Sequence, residues 1–474
     1  MISLARATAG PSVLFMKYRL LIVALALFSP ARAVEQPNVV LLFADDQRAD
    51  TIAALGNPVI KTPSLDRMVR KGLTFKQAYM QGGMHGATCV PSRAMLLSAR
   101  SLFHIDEKLL EHPTWPAAFC NAGYKTFVSG KWHNGPKSVS KSFQQARKVF
   151  TGGMTNPMNA MLSDWKNGRM QPAKLAPKHA CEVFADEAIQ FIQQQKDQPF
   201  FCYVPFDAPH DPHIVPDDFP INYDPATMPI PENFLPMHPF NNGEMRVRDE
   251  ELLPWPRKPN EIARMTAEYY RYISHLDSQV GRILDAVEKS PHAENTYIIY
   301  LADSGVARGS HGLIGKQNLY EHSLRVPLII TGPGIPKDKR SDAFIYTYDL
   351  LPTLGKLCQV KAPETSQGKE FTSLITEGKT AGRDELFFAY RDLQRSIRSG
   401  SYKLIRYPKI DKTQLFDLST DPNEMKDLSA EPKQQQRVTA MIKQLQAAMD
   451  SEGDKAALTV SQPLPAAWSP PVHK

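Results

Sequence analysis

A cysteine followed four residues later by an arginine, Cys89 and Arg93, is the most chemically suggestive feature of this 474-residue sequence. Three glycines within residues 82–86 favour a loop before it, and Pro91 suits the first position of a helix. The pattern predicts a cysteine where a loop meets a helix N-terminus, and there the helix dipole and a guanidinium group both favour an anion. Taken alone, the run fits a buried structural cysteine equally well.

Acidic residues follow two apolar runs that are typical of buried strands. Asp45 and Asp46 come after residues 38–44, and Asp303 comes after residues 296–302. Adjacent carboxylates are either solvated or bound to a cation, because a protein core does not hold two like charges unpaired. In the second case, oxygen ligands without a histidine or thiolate beside them favour Ca²⁺ or Mg²⁺ over Zn²⁺.

Basic and titratable side chains follow two further predicted strands. Lys131 and His133 come just after residues 126–129, and His210 comes just after residues 200–206. A lysine and a histidine two residues apart can present a fixed positive charge and a proton carrier to one site. A surface lysine and a packing histidine are the alternative at these two positions.

The alternation of apolar strands with helices predicts an α/β protein with a large, mostly parallel sheet sandwiched by helices. Because ligands bind beyond the carboxyl ends of such strands, the polar residues that follow four of them should meet at one edge of the sheet. The expected helices cover residues 62–72, 178–195 and 261–288, with a further strand at 327–331 and a proline-rich irregular loop at 214–259.

The C-terminal part of the chain has a different pattern. Residues 394–406 are typical of a β-hairpin, residues 414–418 of a strand and residues 433–449 of a helix. We therefore expect a smaller antiparallel α+β subdomain over residues 381–474, preceded by a catalytic domain over residues 34–380.

The first 33 residues have the pattern of a signal peptide. Two basic residues precede an apolar run at 20–28, which is too short for a stable membrane span, and a small-residue cleavage site ends at Ala33. A good signal peptide also begins at Met16, so the residues before it are consistent with an upstream start codon. These features predict an exported protein, periplasmic or secreted, with a mature N-terminus near Val34.

Composition places the chain among soluble globular enzymes, with 42% hydrophobic and 22% charged residues. The formal charge of +7 is compatible with an anionic substrate, but basic runs of the nucleic-acid-binding kind are absent from the sequence, so we expect no nucleic-acid partner. The cysteine spacings fit neither a zinc site nor a disulfide scaffold. The four cysteines besides Cys89 could pair in three ways or stay reduced: Cys120, Cys181, Cys202 and Cys358.

Five short motifs, in order along residues 38–429, resemble those of the formylglycine-dependent sulfatases, the type I sulfatases of the alkaline-phosphatase-like fold. They are Cys89-Val90-Pro91-Ser92-Arg93, similar to C-x-P-S-R; Gly130-Lys131-Trp132-His133, similar to G-K-W-H; Pro209-His210-Asp211-Pro212, similar to P-H-x-P; residues 309–321, similar to G-x-H-G-L-x-G-K-x-x-x-Y-E; and residues 415–424 of the closing subdomain. The sequence departs from the family pattern at Ser304, where asparagine or histidine is usual, and at Ala99, where glycine is usual.

The resemblance implies a role for each motif residue. Cys89 would be oxidised by a formylglycine-generating maturation enzyme to 3-oxoalanine (formylglycine), whose hydrate is the nucleophile. His210 and Lys316 would assist the leaving alcohol, and His133 would help to expel sulfate. The implied ligands of Ca²⁺, with Mg²⁺ as the alternative, are Asp45, Asp46, Cys89 and Asp303, with Ser304 at the position of the next ligand. The implied catalytic residues are Cys89, Arg93, Lys131, His133, His210 and Lys316. The implied substrate-binding residues are Arg93, Lys131, His210, His311 and Lys316, while His213 has no implied role.

The function that the resemblance implies is hydrolysis of a sulfate ester on a sulfated carbohydrate, either a polysaccharide or an oligosaccharide. A phosphonate or phosphate ester hydrolase of the same fold is the nearest enzymatic alternative. Because Ser304 departs from the family pattern, a non-catalytic protein that binds sulfated glycans is the alternative from another class. Which sugar carries the sulfate is not legible in the sequence.

Overall fold

Seven-residue apolar runs form the middle of the fold, as expected for strands that are buried on both faces. The computed structural model describes residues 1, 3, 36–378 and 382–470, so the expected signal peptide lies almost entirely outside the described residues. The elements belong to the unit Pro37–Lys474. Its helices are α1 (Pro63–Lys71), α2 (Cys89–Ser98), α3 (Trp115–Asn121), α4 (Val139–Ser142), α5 (Ala180–Gln193), α6 (Pro259–Glu288), α7 (Glu321–Leu324), α8 (Leu350–Leu357), α9 (Thr372–Thr376) and α10 (Gln435–Glu452).

The strands form one large sheet and several smaller ones. In chain order they are β1 (Asn38–Ala44), β2 (Leu73–Phe75), β3 (Ala78–Tyr79), β4 (Gly82–Gly83), β5 (Lys125–Lys131), β6 (Gln145–Phe150), β7 (Met161–Leu162), β8 (Trp165–Lys166), β9 (Arg169–Met170), β10 (Lys174–Leu175), β11 (Phe200–Pro205), β12 (Thr296–Ala302), β13 (Arg325–Val326), β14 (Leu328–Thr331), β15 (Lys339–Ser341), β16 (Ile345–Tyr346), β17 (Glu385–Tyr390), β18 (Gln394–Ser399), β19 (Tyr402–Tyr407) and β20 (Lys412–Asp417).

The large sheet has eight strands in the order β15-β2-β14-β12-β1-β11-β5-β6. The five strands from β12 to β6 are parallel, while β14 runs antiparallel to both of its neighbours. The expected mostly parallel α/β sheet is thus confirmed. The strand expected at 327–331 is present as β14, and it belongs to the antiparallel part.

Helices cover both faces of the large sheet. Phe200 and Phe201 are consecutive in β11, so their side chains point to opposite faces. The ring of Phe200 packs on Phe191 of α5, whereas the ring of Phe201 packs on Phe119 of α3. The predicted sandwich of a sheet between helices is therefore present around β11, and β1, β11 and β12 are buried throughout.

A second sheet has the order β20-β19-β18-β17-β4 and is antiparallel except for the β17–β4 pair. Its hairpin turns at Gly400, whose φ of 55° lies in the left-handed region that glycine adopts without strain. The hairpin, the following strand and the final helix are all found close to their expected bounds. The sequence did not predict that β4, which lies just ahead of Cys89, would join this sheet.

Three further features of the described residues complete the fold. Residues 214–258 form an irregular loop with two short 3₁₀ turns, Pro225–Thr227 and Glu250–Leu252, and an isolated β-bridge from Phe234 to Ser310, and α6 begins at Pro259. All five cysteines carry free thiols. The four cysteines besides Cys89 are therefore reduced rather than paired in disulfides. In the part of the chain that the structure describes, no helix combines the length and apolarity that a membrane crossing requires.

Candidate active site

The ends of β1 and β12 bring three carboxylates together. The two strands pair in register from Asn38 opposite Thr296 to Ala44 opposite Ala302, so Asp45 and Asp303 leave the sheet side by side. The backbone N–H of Asp46 donates to Asp303 Oδ1 at 2.9 Å, with Asp46 at a φ of 63°. The convergence that we expected at this edge of the sheet is thus present for these acids.

Helix α2 places Cys89 against the carboxylates. The helix begins at Cys89 itself, two residues earlier than the position of Pro91 suggested. The thiol Sγ lies 3.2 Å from Asp45 Oδ1 and 3.9 Å from Asp46 Oδ1. The hydroxyl of Ser92 donates to the backbone carbonyl of Asp303 at 2.7 Å, which ties the first turn of α2 to the end of β12.

Three basic side chains from three separate segments pair with the three acids. Lys131 forms an ion pair with Asp45. Lys316 Nζ lies 2.6 Å from both carboxylate oxygens of Asp46 and 2.9 Å from Cys89 Sγ. Arg93 donates from Nη2 to Asp303 Oδ2 at 3.2 Å and from Nη1 to the carbonyl of Lys131 at 2.7 Å. These six charged residues, none more than 6% exposed, form the charged cluster: Asp45, Asp46, Asp303, Arg93, Lys131 and Lys316.

The cluster shifts the pKa values of its acids in opposite directions. Burial disfavours the charged form of Asp45, but Lys131 and Arg93 outweigh it and hold the pKa of Asp45 well below its usual range. Burial and the neighbouring charge of Asp45 raise the pKa of Asp303 to about 8. Burial, with Asp303 and then Asp45, raises the pKa of the Cys89 thiol well above its usual range. The unmodified thiol is therefore protonated at neutral pH and a poor nucleophile.

The donor set fits a hard divalent cation. One ligand atom from each of Asp45, Asp46, Cys89 and Asp303 lies within 4.8 Å of the others. Three carboxylates in one buried space supply the oxygen ligands that Ca²⁺ and Mg²⁺ prefer. Ser304 Oγ donates to Asp46 Oδ1 at 2.8 Å, so in this structure the hydroxyl orients a carboxylate.

Two of the predicted histidines border the cluster. His210 Nε2 lies 3.7 Å from Asp46 Oδ2, while its Nδ1 lies 2.8 Å from the carbonyl oxygen of Asp211. Burial, followed by the charges of Lys131 and Arg93, lowers the pKa of His133 to about 3. His133 is thus a neutral imidazole at physiological pH, and it lines a cavity of about 520 Å³.

The other two histidines have different surroundings. The ring of His311 stacks on Tyr320 with centroids 4.0 Å apart, and its Nε2 lies 3.2 Å from Asn233 Nδ2. The structure thus places His311 with Tyr320 and Asn233 rather than with the charged cluster. His213 packs its ring edge-to-face on Tyr269 at 5.5 Å.

Sequence reasoning missed two residues that support the site. Ser92, described above, lies within the C-x-P-S-R motif, so the motif itself held that signal. Tyr269 donates its hydroxyl to the backbone carbonyl of Asp46 at 2.6 Å. It comes from the middle of α6, where an aromatic residue at helical spacing gives no sign of a role 223 residues away.

Comparison with known proteins places this architecture among the sulfatases. The family model described as Sulfatase matches residues 37–360, and one described as N-sulphoglucosamine sulphohydrolase, C-terminal, matches residues 309–451. The chain is 24% identical over 500 residues to the N-acetylglucosamine-6-O-sulfatase of Bacteroides thetaiotaomicron, covering 88% of this chain and 87% of that protein. It is 26% identical over 438 residues to an arylsulfatase of Clostridium perfringens, covering 82% and 89%.

Solved structures share the fold along most of the chain. A protein in complex with its substrate D-glucosamine-2-N,6-O-disulfate matches with a TM-score of 0.71 and 20% identity, covering 89% of this chain and 99% of that one. The phosphonate monoester hydrolase of Agrobacterium radiobacter matches with a TM-score of 0.72 and 18% identity, covering 88% and 96%. Because the Sulfatase model alone matches more than half of the residues, this chain belongs to the sulfatase family and is a type I sulfatase of the alkaline-phosphatase-like fold.

Proposed function

We propose that this sulfatase removes sulfate from a sulfated carbohydrate, with Cys89 in its formylglycine form and one divalent cation at the charged cluster. The observation that carries the proposal is the convergence of the Cys89 side chain with three carboxylates and three basic groups in one buried site. The relatives support the substrate class, since one is named an N-acetylglucosamine-6-O-sulfatase and one structure contains a sulfated glucosamine.

Asp45, Asp46 and Asp303 are the residues that would hold the cation, Ca²⁺ or alternatively Mg²⁺. When bound there, such an ion supplies Lewis-acid polarisation of the sulfate group. Ser304 keeps one oxygen of Asp46 fixed through its hydrogen bond, so we assign it a role in orienting this carboxylate.

Cys89 requires modification to serve as the nucleophile. Its thiol is buried and its pKa is raised by burial and by two neighbouring carboxylates, so little thiolate is present at neutral pH. The formylglycine form would supply a hydroxyl nucleophile from its hydrate at the same position. A formylglycine-generating maturation enzyme is therefore a partner that the proposal requires.

The basic residues of the cluster suit a sulfate ester. Arg93, Lys131 and Lys316 bring three positive charges to the position of Cys89, with Lys316 Nζ at 2.9 Å from its Sγ. Fixed cations in a buried site stabilise the charge that develops on sulfate oxygens without reorganisation, and each is typically worth a hundred- to a thousandfold in rate, as an order of magnitude.

The two bordering histidines suit the two proton transfers. The carbonyl of Asp211 accepts from His210 Nδ1 at 2.8 Å, so Nε2 is the position that takes up and releases a proton toward the leaving alcohol. His133 is neutral because burial and Lys131 lower its pKa to about 3. Its imidazole can accept a proton when sulfate is expelled only with the substrate bound, since the negative charge of a sulfate group offsets the charges of Lys131 and Arg93 that depress its basicity.

Substitution of Cys89 tests the proposal. The protein is expressed with a maturation enzyme and assayed on sulfated monosaccharides and on matched aryl sulfate, phosphate and phosphonate esters. We expect Cys89→Ala to lose turnover of every sulfate ester, whereas Cys120→Ala, which removes a thiol that is not part of the cluster, keeps it. Near-wild-type activity in Cys89→Ala would refute the mechanism.

The same experiment separates the alternatives. A preference for the phosphonate or phosphate ester over its sulfate analogue would favour the related ester hydrolase, whose fold this chain shares. An unmodified Cys89 peptide in mass spectra, with glycan binding but no turnover, would favour a binding protein.

We further propose that the protein is exported to the periplasm or the medium. The support is the signal-like pattern of residues 1–33, with a basic segment, a short apolar run and a cleavage site that ends at Ala33. N-terminal sequencing of the mature protein should give a start near Val34, and a start at residue 1 or at Met16 would contradict the proposal.

A further inference from the structure

Arg308 is a buried arginine whose guanidinium meets no carboxylate among the described residues. It is 5% exposed. Its Nη2 donates to the carbonyl of Met265, its Nη1 lies 3.5 Å from His213 Nε2, and its Nε has no hydrogen-bond partner. The guanidinium lies over the ring of Tyr269, 4.1 Å from the centroid. A buried cation without an anion is costly, so its presence calls for a reason.

Arg308 lies where two cavities meet. A cleft of about 240 Å³ is lined by Arg308 and Tyr269 together with Asn233 and Thr266. A smaller cavity of about 30 Å³ is lined by the same Arg308 and Tyr269, and it reaches Asp46 of the charged cluster. The arginine thus separates the candidate active site from a neighbouring cleft that is large enough for part of a sugar.

The acids that line these cavities already have donors of their own. The pairs are Asp46 with Lys316 at 2.6 Å, Asp211 with Arg248 at 2.9 Å, Asp249 with Arg248 at 2.8 Å, Asp50 with Arg48 at 2.6 Å, and the exposed Glu232 with Asn423 at 2.8 Å. Among the described residues that line the two cavities, Arg308 is therefore the cation that no carboxylate matches.

The backbone holds Arg308 in place. Its φ is 51°, in the left-handed region, and its N–H donates to the carbonyl of Ile314 at 3.1 Å within a tight loop. Burial lowers the pKa of Arg308 to about 10, so the group keeps its charge at neutral pH. A fixed, charged and partly unsatisfied guanidinium is suited to bind an oxyanion through two parallel hydrogen bonds.

We propose that Arg308 binds a second anionic group of the substrate, a carboxylate or a sulfate on the sugar that carries the scissile sulfate or on its neighbour. This inference rests on the proposed function, because it assumes that a sulfated carbohydrate enters beside Cys89. The proposed role of Arg308 is to bind substrate, and no covalent bond forms or breaks at this residue. Arg308 would select substrates with two negative charges over those with only the scissile one.

Kinetics on matched substrates test the role of Arg308. The substrates are a sugar with one sulfate, the same sugar with a second sulfate, and the same monosulfated sugar linked to a uronic acid. We expect Arg308→Met to raise KM for a doubly charged substrate on the order of 10- to 100-fold, with kcat and the singly charged substrate little changed. Arg308→Lys should recover part of the loss. Arg264→Ala, which removes an exposed arginine paired with Glu268, is the charge-matched control.

The two doubly charged substrates distinguish a second sulfate from a carboxylate as the group that Arg308 binds. The substrate whose KM rises more in Arg308→Met carries that group. Equal KM changes for singly and doubly charged substrates would overturn the proposal. Arg308→Met should also fold, because an apolar side chain of similar length replaces an unpaired buried charge, and its Tm should match or exceed that of the wild type.

A binding measurement keeps this inference separate from the proposed function. Calorimetry on the Cys89→Ala protein, which we expect not to turn substrate over, compares the same three sugars with and without Arg308→Met. Tighter binding of a doubly charged sugar that disappears in Arg308→Met supports the inference even when no sugar sulfate is hydrolysed, whereas a lack of any such preference overturns it. Absence of hydrolysis of every sugar sulfate by the matured wild type overturns only the proposed function.

Discussion

Binding of Ca²⁺ to the charged cluster is expected to release close to one proton at pH 7. Burial and the charge of Asp45 raise the pKa of Asp303 to about 8. About nine-tenths of the Asp303 carboxyl groups are therefore protonated at pH 7, by the definition of a pKa. A cation binds the ionised carboxylate, so the proton has to leave. Asp45, whose pKa is held well below its usual range by Lys131 and Arg93 against the effect of burial, contributes none.

The affinity should follow the same titration. Below pH 8 the apparent affinity for Ca²⁺ should rise about tenfold per pH unit, and above pH 8 it should level off. The expected number of protons released per Ca²⁺ bound is about one at pH 6 and about one-tenth at pH 9. Cys89→Ala has no thiol at position 89 that could release a proton on Ca²⁺ binding. In this variant the proton count therefore reports on the carboxyl groups alone.

Calorimetry in buffers with different ionisation enthalpies measures the proton count directly. The slope of the observed enthalpy against the buffer enthalpy gives the protons released per Ca²⁺ bound. Ser304→Ala keeps all three carboxylates and should release the same number, whereas Asp303→Asn should release none. Tight binding with no proton release at pH 7, or equal affinities at pH 6 and pH 9, would refute the electrostatic reasoning for the cluster.

Three other predictions concern stability. In the metal-free protein the free energy of unfolding, taken relative to that of Asp303→Asn, should fall between about pH 4 and about pH 8, since folded Asp303, with its pKa raised by burial to about 8, retains a proton that the unfolded chain releases. The comparison with Asp303→Asn removes the contribution of buried histidines such as His133, whose pKa burial lowers to about 3 and which act in the opposite direction below about pH 6.5. A constant difference between the two proteins in urea unfolding across this range would contradict the prediction. Ala99→Gly should stabilise the protein by about 1 kcal/mol, because Ala99 has a φ of 51° and glycine adopts this conformation without strain; an unchanged urea midpoint would count against it. Gly130→Ala should destabilise by at least about 3 kcal/mol. Gly130 has a φ of 141° and an added Cβ would lie 2.0 Å from the carbonyl oxygen of Pro205, so a variant with wild-type Tm would show that this approach is looser than the structure indicates.

Much of the site geometry is predictable because it follows from strand register. Apolar runs that form adjacent parallel strands end at the same edge, so Asp45 and Asp303 could be expected side by side from the sequence. The position of Cys89 at a helix N-terminus was also expected, and only the first helical residue differs. The exact first residue of a helix is hard to predict from sequence, because the residue before it can already have helical dihedral angles. Thr88, which precedes α2, is such a residue.

The remaining features depend on packing between distant segments. Tyr269 supports Asp46 from a helix more than 200 residues away, and its local pattern fits any buried face of an amphipathic helix. His311 stacks on Tyr320 because the loop between them folds back on itself, which the spacing of the motif does not reveal. Ala99 is visible in the sequence as an alanine at a position where glycine is usual, but the left-handed backbone that makes alanine costly there depends on the surrounding fold.

The pairing of β4 with β17 determines when the segment before Cys89 is fixed in place. Ala389 pairs with Gly82 and Tyr390 with Gly83, so the strand that pins this segment is synthesised roughly 300 residues later. At about 5–20 residues per second, a ribosome needs on the order of 15 to 60 seconds to make that length. For the proposed oxidation of Cys89, whose side chain is 1% exposed once folded, the chain order thus provides an interval in which a modifying enzyme can reach the thiol before β17 fixes the segment ahead of it.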